Sequence, residues 1–200
     1  MTKHGKGWRG SALLTAALLL PACERTEEPA ETSGAEVARE QPASAPAPAL
    51  DDAAIAHIAV TANTIDADMG DLALERSRNE QVRAFAQTMV RDHRGVNEQA
   101  VALANRLGVT PADNDVSRSL TSDAAAARSR IEGLSGAEFD RAYMEREVAY
   151  HQAVLSALDD TLIPGAANAE LRALLETARG AVAAHLEHAR TLSASLAGGA

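Results

Sequence analysis

At 200 residues the chain has room for one domain with appendages. Ala, Leu and Val carry most of its apolar content and aromatics make up 2%; small aliphatic side chains of this kind suit closely packed helices and argue against a sheet, so the expected fold class is all-α. A formal charge of −9 with no basic stripe excludes nucleic acid as a partner, because phosphate neutralisation needs clustered Lys and Arg.

Residues 1–22 have the three parts of an export signal. Lys3, Lys6 and Arg9 form a positive start, Ser11–Leu20 is an apolar run too short to span a bilayer, and Leu20-Pro21-Ala22-Cys23 follows. The tetrapeptide resembles a bacterial lipobox, in which the cysteine is lipid-modified and becomes the mature N-terminus. Cys23 is the only cysteine, so no intramolecular disulfide can form. The implied partner is a membrane, reached through a lipid anchor at Cys23. Glu24 in place of Asp resembles the pattern sorted to the periplasmic side of the outer membrane. Residues 23–50 hold Pro29, Pro42, Pro46 and Pro48 among acids and almost no large apolar side chain, which predicts a disordered, semi-extended tether.

The folded domain is expected over residues 51–197. Asp51 or Asp52 caps a first helix to about Ser77, striped by Ile55, Ile58, Ala62, Ile65, Met69 and Leu72. Ser77 and Glu80 read as a capping box for a second helix, which ends at Gly108 and carries the stripe Val82, Phe85, Ala86, Met89 and Val96. A shorter helix is expected over 114–133. A second box, Ser135 with Glu138, opens a helix to about Leu162, and Pro164-Gly165 marks a turn. The last helix spans about Asn168–Leu196. Four long helices with a short one in the long connection make a four-helix bundle.

Three histidines interrupt the apolar stripes. The estimated helix midpoints lie near residues 92, 149 and 182, which puts His93, His151 and His185 within roughly 5 Å of one plane. Asp66 and Asp68 belong to the same level on the first helix, and Glu147 lies one turn before His151. Imidazoles and carboxylates at one height are how bundles build sites for Fe, Cu or Zn. The competing reading is a polar layer whose members hydrogen-bond one another and water and so fix helix register. Rings more than about 7 Å apart would favour the second, since metal–nitrogen bonds are near 2 Å. His57 and His188 fall off the stripes, and Tyr143 and Tyr150 flank the layer as core aromatics.

The pieces IDADMGDLA (65–73), VRAFAQTMVRDH (82–93), SGAEFDRAY (135–143), His151 and His185-Leu186 resemble, in order and spacing, the ferritin-like bacterial envelope family catalogued as domain of unknown function 4142. The resemblance covers about residues 50–196. It implies a ferritin-like bundle in an exported protein and no established activity. Family members usually have Glu where Asp66 and Asp68 stand, and often Pro at Gly180. Relative to true ferritins the Glu-His pairs of a di-iron site are missing, with Val90 and Val182 three residues before His93 and His185.

No motif for a catalytic Cys, GxSxG, HExxH or a phosphate loop is present. Two functions compete: a tethered envelope protein that binds a partner the sequence does not name or makes structural contacts, and a metal-binding or redox protein. A general base at His93 beside Asp92 is a weaker third, because sequence neighbours on a helix face different directions.

Overall fold

The computed structural model describes residues 50–198. The export signal, Cys23 and the tether lie outside the described residues. Helix α1 (Asp52–Arg76) opens on Asp51, whose carboxylate accepts from the Ala54 N–H at 2.8 Å. Helix α2 (Glu80–Leu107) opens on Asn79, whose side-chain oxygen accepts from the N–H groups of Gln81 and Val82. Ser77, expected as that cap, instead donates its hydroxyl to Asp140 at 2.5 Å. Gly108, at φ 65°, closes α2 in the left-handed conformation that glycine adopts without strain.

Helix α3 (Asp115–Ile131) starts from a reciprocal box between Asn114 and Ser117. Helix α4 (Gly136–Ala157) begins after Ser135, but the expected box with Glu138 does not form, since Ser135 makes no side-chain cap bond. The helix expected to reach Leu162 changes to a π turn over Leu158–Leu162 and then to a single turn, α5 (Ile163–Gly165). Pro164 has no N–H with which to continue the α ladder, and the wider turn keeps Leu158 and Leu162 both in the core. Helix α6 (Ala169–Gly198) is capped by Asn168, which accepts from the N–H groups of Glu170 and Leu171. Among the described residues there is no strand, and no helix is long and apolar enough to cross a membrane.

Four contacts fix the directions of the chain. The Ala112 N–H donates to Ala53, so α2 ends beside the start of α1 and the two are antiparallel. Arg76 donates to the Glu132 carbonyl, so α3 crosses back along α1 to its far end. Ser77 bonds Asp140 there, so α4 starts at that end and runs parallel to α2. Asp52 then accepts from the Ala167 and Asn168 N–H groups, returning the chain to the start of α1 before α6 runs beside it. The result is four long helices with α3 in one long crossover, as the sequence predicts.

The apolar core is in two parts. One cluster, around Phe85, Phe139, Tyr143, Met144 and Leu192, fills the end near Ser77. The other, around Ile55, Leu103, Leu158, Leu162 and Leu175, fills the end near Asp52. Between them lie Asp66, His93, Glu147, His151 and His185, all buried. The polar level is therefore an interruption of the core on all four long helices.

Helices α1 and α2 are in close contact at Gly70, where an added Cβ would lie 2.8 Å from Val90 Cγ2 and 3.1 Å from the Ala86 carbonyl. Gly95, also within α2, has nothing within 4 Å of that position. Gly70→Ala should cost about 1–3 kcal/mol through overpacking, while Gly95→Ala should stabilise by about 0.5–1 kcal/mol through reduced chain entropy. Urea unfolding of both variants checks the pair; equal effects would contradict the close approach.

Candidate metal centre

Each long helix contributes to the buried level by its own periodicity. On α1, Asn63 and Asp66 lie three apart and share a face. On α4, Glu147 and His151 lie four apart, as do Arg146 and Tyr150. Helix α2 supplies His93 and α6 supplies His185. The three rings converge: their centroids are 5.7 Å apart for His93–His151, 5.3 Å for His93–His185 and 5.5 Å for His151–His185. One nitrogen from each lies within 4.8 Å of the others, and Asp66, Glu147 and His151 form a second group within the same limit.

Hydrogen bonds outside the cluster assign the tautomers. His93 Nδ1 donates to Asn63 Oδ1 at 2.7 Å, His151 Nδ1 donates to the Glu147 carbonyl at 2.9 Å, and His185 Nε2 donates to Asp92 Oδ2 at 3.0 Å. A neutral imidazole has one N–H, so the remaining nitrogens, His93 Nε2, His151 Nε2 and His185 Nδ1, are acceptors. None of the three has a hydrogen-bond partner among the described residues, and neither has Asp66 Oδ2. His93 Nε2 and Asp66 Oδ2 are 2.9 Å apart in an orientation that forms no hydrogen bond. His151 Nε2 is 3.6 Å from the same oxygen. Three ring nitrogens and one oxygen from each of Asp66 and Glu147 thus lack a donor among the described residues.

The outward bonds run to a side-chain amide, a main-chain carbonyl and a carboxylate, each taking one ring N–H, the same kinds of partner that orient metal-binding histidines. On the far side, Arg146 Nη1 donates to Asp66 Oδ1 at 2.7 Å and to Glu147 Oε1 at 2.6 Å, and its guanidinium lies 4.0 Å from the centre of the Tyr150 ring. Tyr150 donates its hydroxyl to the Ala62 carbonyl at 2.8 Å. Burial pushes the Asp66 carboxyl up, but the Arg146 guanidinium together with His93 and His151 in their protonated forms outweighs it and holds it well below the usual carboxylate range. Burial and the Asp66 charge push Glu147 up against the pull of Arg146. Burial pushes His185 down, against the pull of Asp92.

Of the residues singled out from sequence, Asp66, His93, Glu147, His151 and His185 come together. Asp68 does not: it is exposed, because two residues turn a helix by about 200° and carry it away from the face of Asp66. His188 is exposed and packs edge-on against Phe85, with centroids 5.2 Å apart. Asp92 pairs with His185 and not with His93, which removes the geometry for a His93–Asp92 base. Asn63, Asp92 and Arg146 went unread as parts of the site. Asn63 was legible, one turn before Asp66. Arg146 was not, since it stands about 100° off the stripe beside Glu147 and reaches the site only through its long side chain.

The chain belongs to the family described as a domain of unknown function (DUF4142), whose model matches residues 37–192. A crystal structure of a DUF305 protein from Streptomyces coelicolor, described as secreted, has a similar fold, with a TM-score of 0.60 at 10% identity over 72% of this chain and 92% of that one. At that identity the likeness concerns the fold alone. No curated protein matches the chain.

Burial pushes His151 down to about 4. The unfolded chain takes up that proton near pH 6.5 and the native ion-free protein only near 4, so the unfolded state binds more protons between these values. Stability of the chelator-treated protein should therefore fall as pH drops from 6.5 to 4. The His151→Gln variant should show a shallower fall over the same window in urea titrations. Parallel profiles for the two proteins would contradict a buried neutral His151.

Proposed function

We propose that this protein is an envelope-anchored carrier of one transition-metal ion. The ion is held by His93 Nε2, His151 Nε2, His185 Nδ1 and Asp66 Oδ2. The observation that carries the reading is a buried cluster without internal donors: one nitrogen of each ring lies within 4.8 Å of the others, Asp66 Oδ2 lies 2.9 Å from His93 Nε2 and 3.6 Å from His151 Nε2, and none of the four acceptors has a donor among the described residues. A cation is what such a set accepts, and three imidazoles with one carboxylate suit Zn, Cu or Fe. Binding at a four-ligand site of nitrogen and oxygen requires atoms about 3.3 Å apart around a bond of about 2.0 Å, which the rings reach by small movements.

The export signal and Leu20-Pro21-Ala22-Cys23 support a lipid anchor at Cys23, and Glu24 supports the outer membrane. The Pro- and acid-rich stretch to residue 50 would hold the bundle away from the bilayer. Each buried CH₂ of an acyl chain adds about 0.8 kcal/mol of membrane affinity, so two or three chains hold such a protein firmly.

Elemental analysis after loading with Zn, Cu or Fe and exhaustive dialysis should find one ion per chain. His93→Ala and Asp66→Ala should abolish retention, and Asp68→Ala should leave it unchanged. Asp92→Asn should weaken binding by about 10–100-fold through the orientation of His185. No uptake, or equal uptake by His93→Ala, would overturn the metal reading. Separately, Cys23→Ala should move the protein from the membrane fraction to the soluble periplasmic fraction; unchanged fractionation would overturn the anchor.

A further inference from the structure

The structure assigns Arg146 as the residue that sets which class of ion this site takes, favouring a borderline ion such as Zn²⁺ or Cu²⁺ over a harder one such as Mn²⁺. This rests on the metal reading above and goes beyond it. The donor set around an ion depends on how many carboxylate oxygens can turn toward it, and the two buried carboxylates here offer four. Arg146 Nη1 takes Asp66 Oδ1 at 2.7 Å and Glu147 Oε1 at 2.6 Å, withdrawing one oxygen from each. Asp66 can then ligate through Oδ2 alone.

Glu147 is constrained twice. Its Oε1 is held by Arg146, and its main-chain carbonyl carries the His151 N–H, which fixes the turn of α4 between them. Glu147 Oε2 has no hydrogen-bond partner among the described residues and belongs with Asp66 and His151 to the second cluster. With Arg146 in place the site offers three imidazole nitrogens and at most one oxygen from each carboxylate, a nitrogen-rich set that suits Zn²⁺ and Cu²⁺. Without Arg146 it would be three nitrogens with up to four oxygens and one more negative charge. Six-coordinate, oxygen-seeking ions gain most from that change.

The guanidinium cannot swing away to release the carboxylates. Its side chain is 10% exposed, it stacks on Tyr150 at 4.0 Å, and Tyr150 is tied to the Ala62 carbonyl. Lysine could supply the charge, but a single ammonium lacks the planar fork and the stacking face.

Competition between Zn²⁺ and Mn²⁺ for the purified full chain tests this, with Co²⁺ absorption as a second readout. In Arg146→Gln the ratio of Mn²⁺ to Zn²⁺ dissociation constants should fall at least tenfold. The Co²⁺ bands should weaken from the intense low-coordinate form to the faint six-coordinate form. Arg146→Lys should fall between, and adding Glu147→Gln to Arg146→Gln should restore most of the ratio. A ratio within twofold of the parent in Arg146→Gln, or no restoration of the ratio when Glu147→Gln is added to it, would overturn the assignment. If the parent protein takes up no zinc, the metal reading itself fails, and the two failures are thereby distinct.

Discussion

Four buried acceptors gathered in the middle of a helical bundle are the constraint on which this structure turns. His93 Nε2, His151 Nε2, His185 Nδ1 and Asp66 Oδ2 are buried and without donors among the described residues. Leaving one buried polar atom unsatisfied costs about 1–3 kcal/mol, so four cost roughly 4–12 kcal/mol. That is comparable with the whole stability of a small domain, about 5–15 kcal/mol. Structural zinc sites in small peptides contribute about 10–16 kcal/mol, enough to offset such a penalty.

The rest of the fold holds those atoms in place. Two apolar clusters grip the helices above and below the polar level, so His93, His151 and His185 cannot slide along their axes without moving Phe85, Tyr143 or Leu175. The crossover helix α3 lets α4 run parallel to α2, which brings His151 and His93 to one height from opposite halves of the chain. Close contact at Gly70 draws α1 against α2 one turn from Asp66, within reach of His93. Rotation of each ring is fixed separately, by Asn63, the Glu147 carbonyl and Asp92.

Much of this was legible in the sequence. The stripe through Val82, Phe85 and Met89 carries His93 as its one polar member, and helical spacing with a 1.5 Å rise suffices to predict a common level for three histidines. Helix ends were less legible. Ser77 and Asn79 both precede Glu80, and a tertiary partner, Asp140, decides which one caps. Asp66 and Asp68 could be placed at one height but not told apart until the rotation of α1 was known. Arg146 was hidden because periodicity reports where a Cα points and not where a long side chain ends. The tautomers were hidden too, since each depends on a partner from another helix or on the main chain.

X-ray absorption of the zinc-loaded protein reads the four ligand atoms directly. A first shell of four nitrogen and oxygen atoms near 2.0–2.1 Å is expected, with outer-shell scattering that requires three imidazoles. A shell of six oxygens, or a fit needing one imidazole or none, would contradict the three-imidazole site.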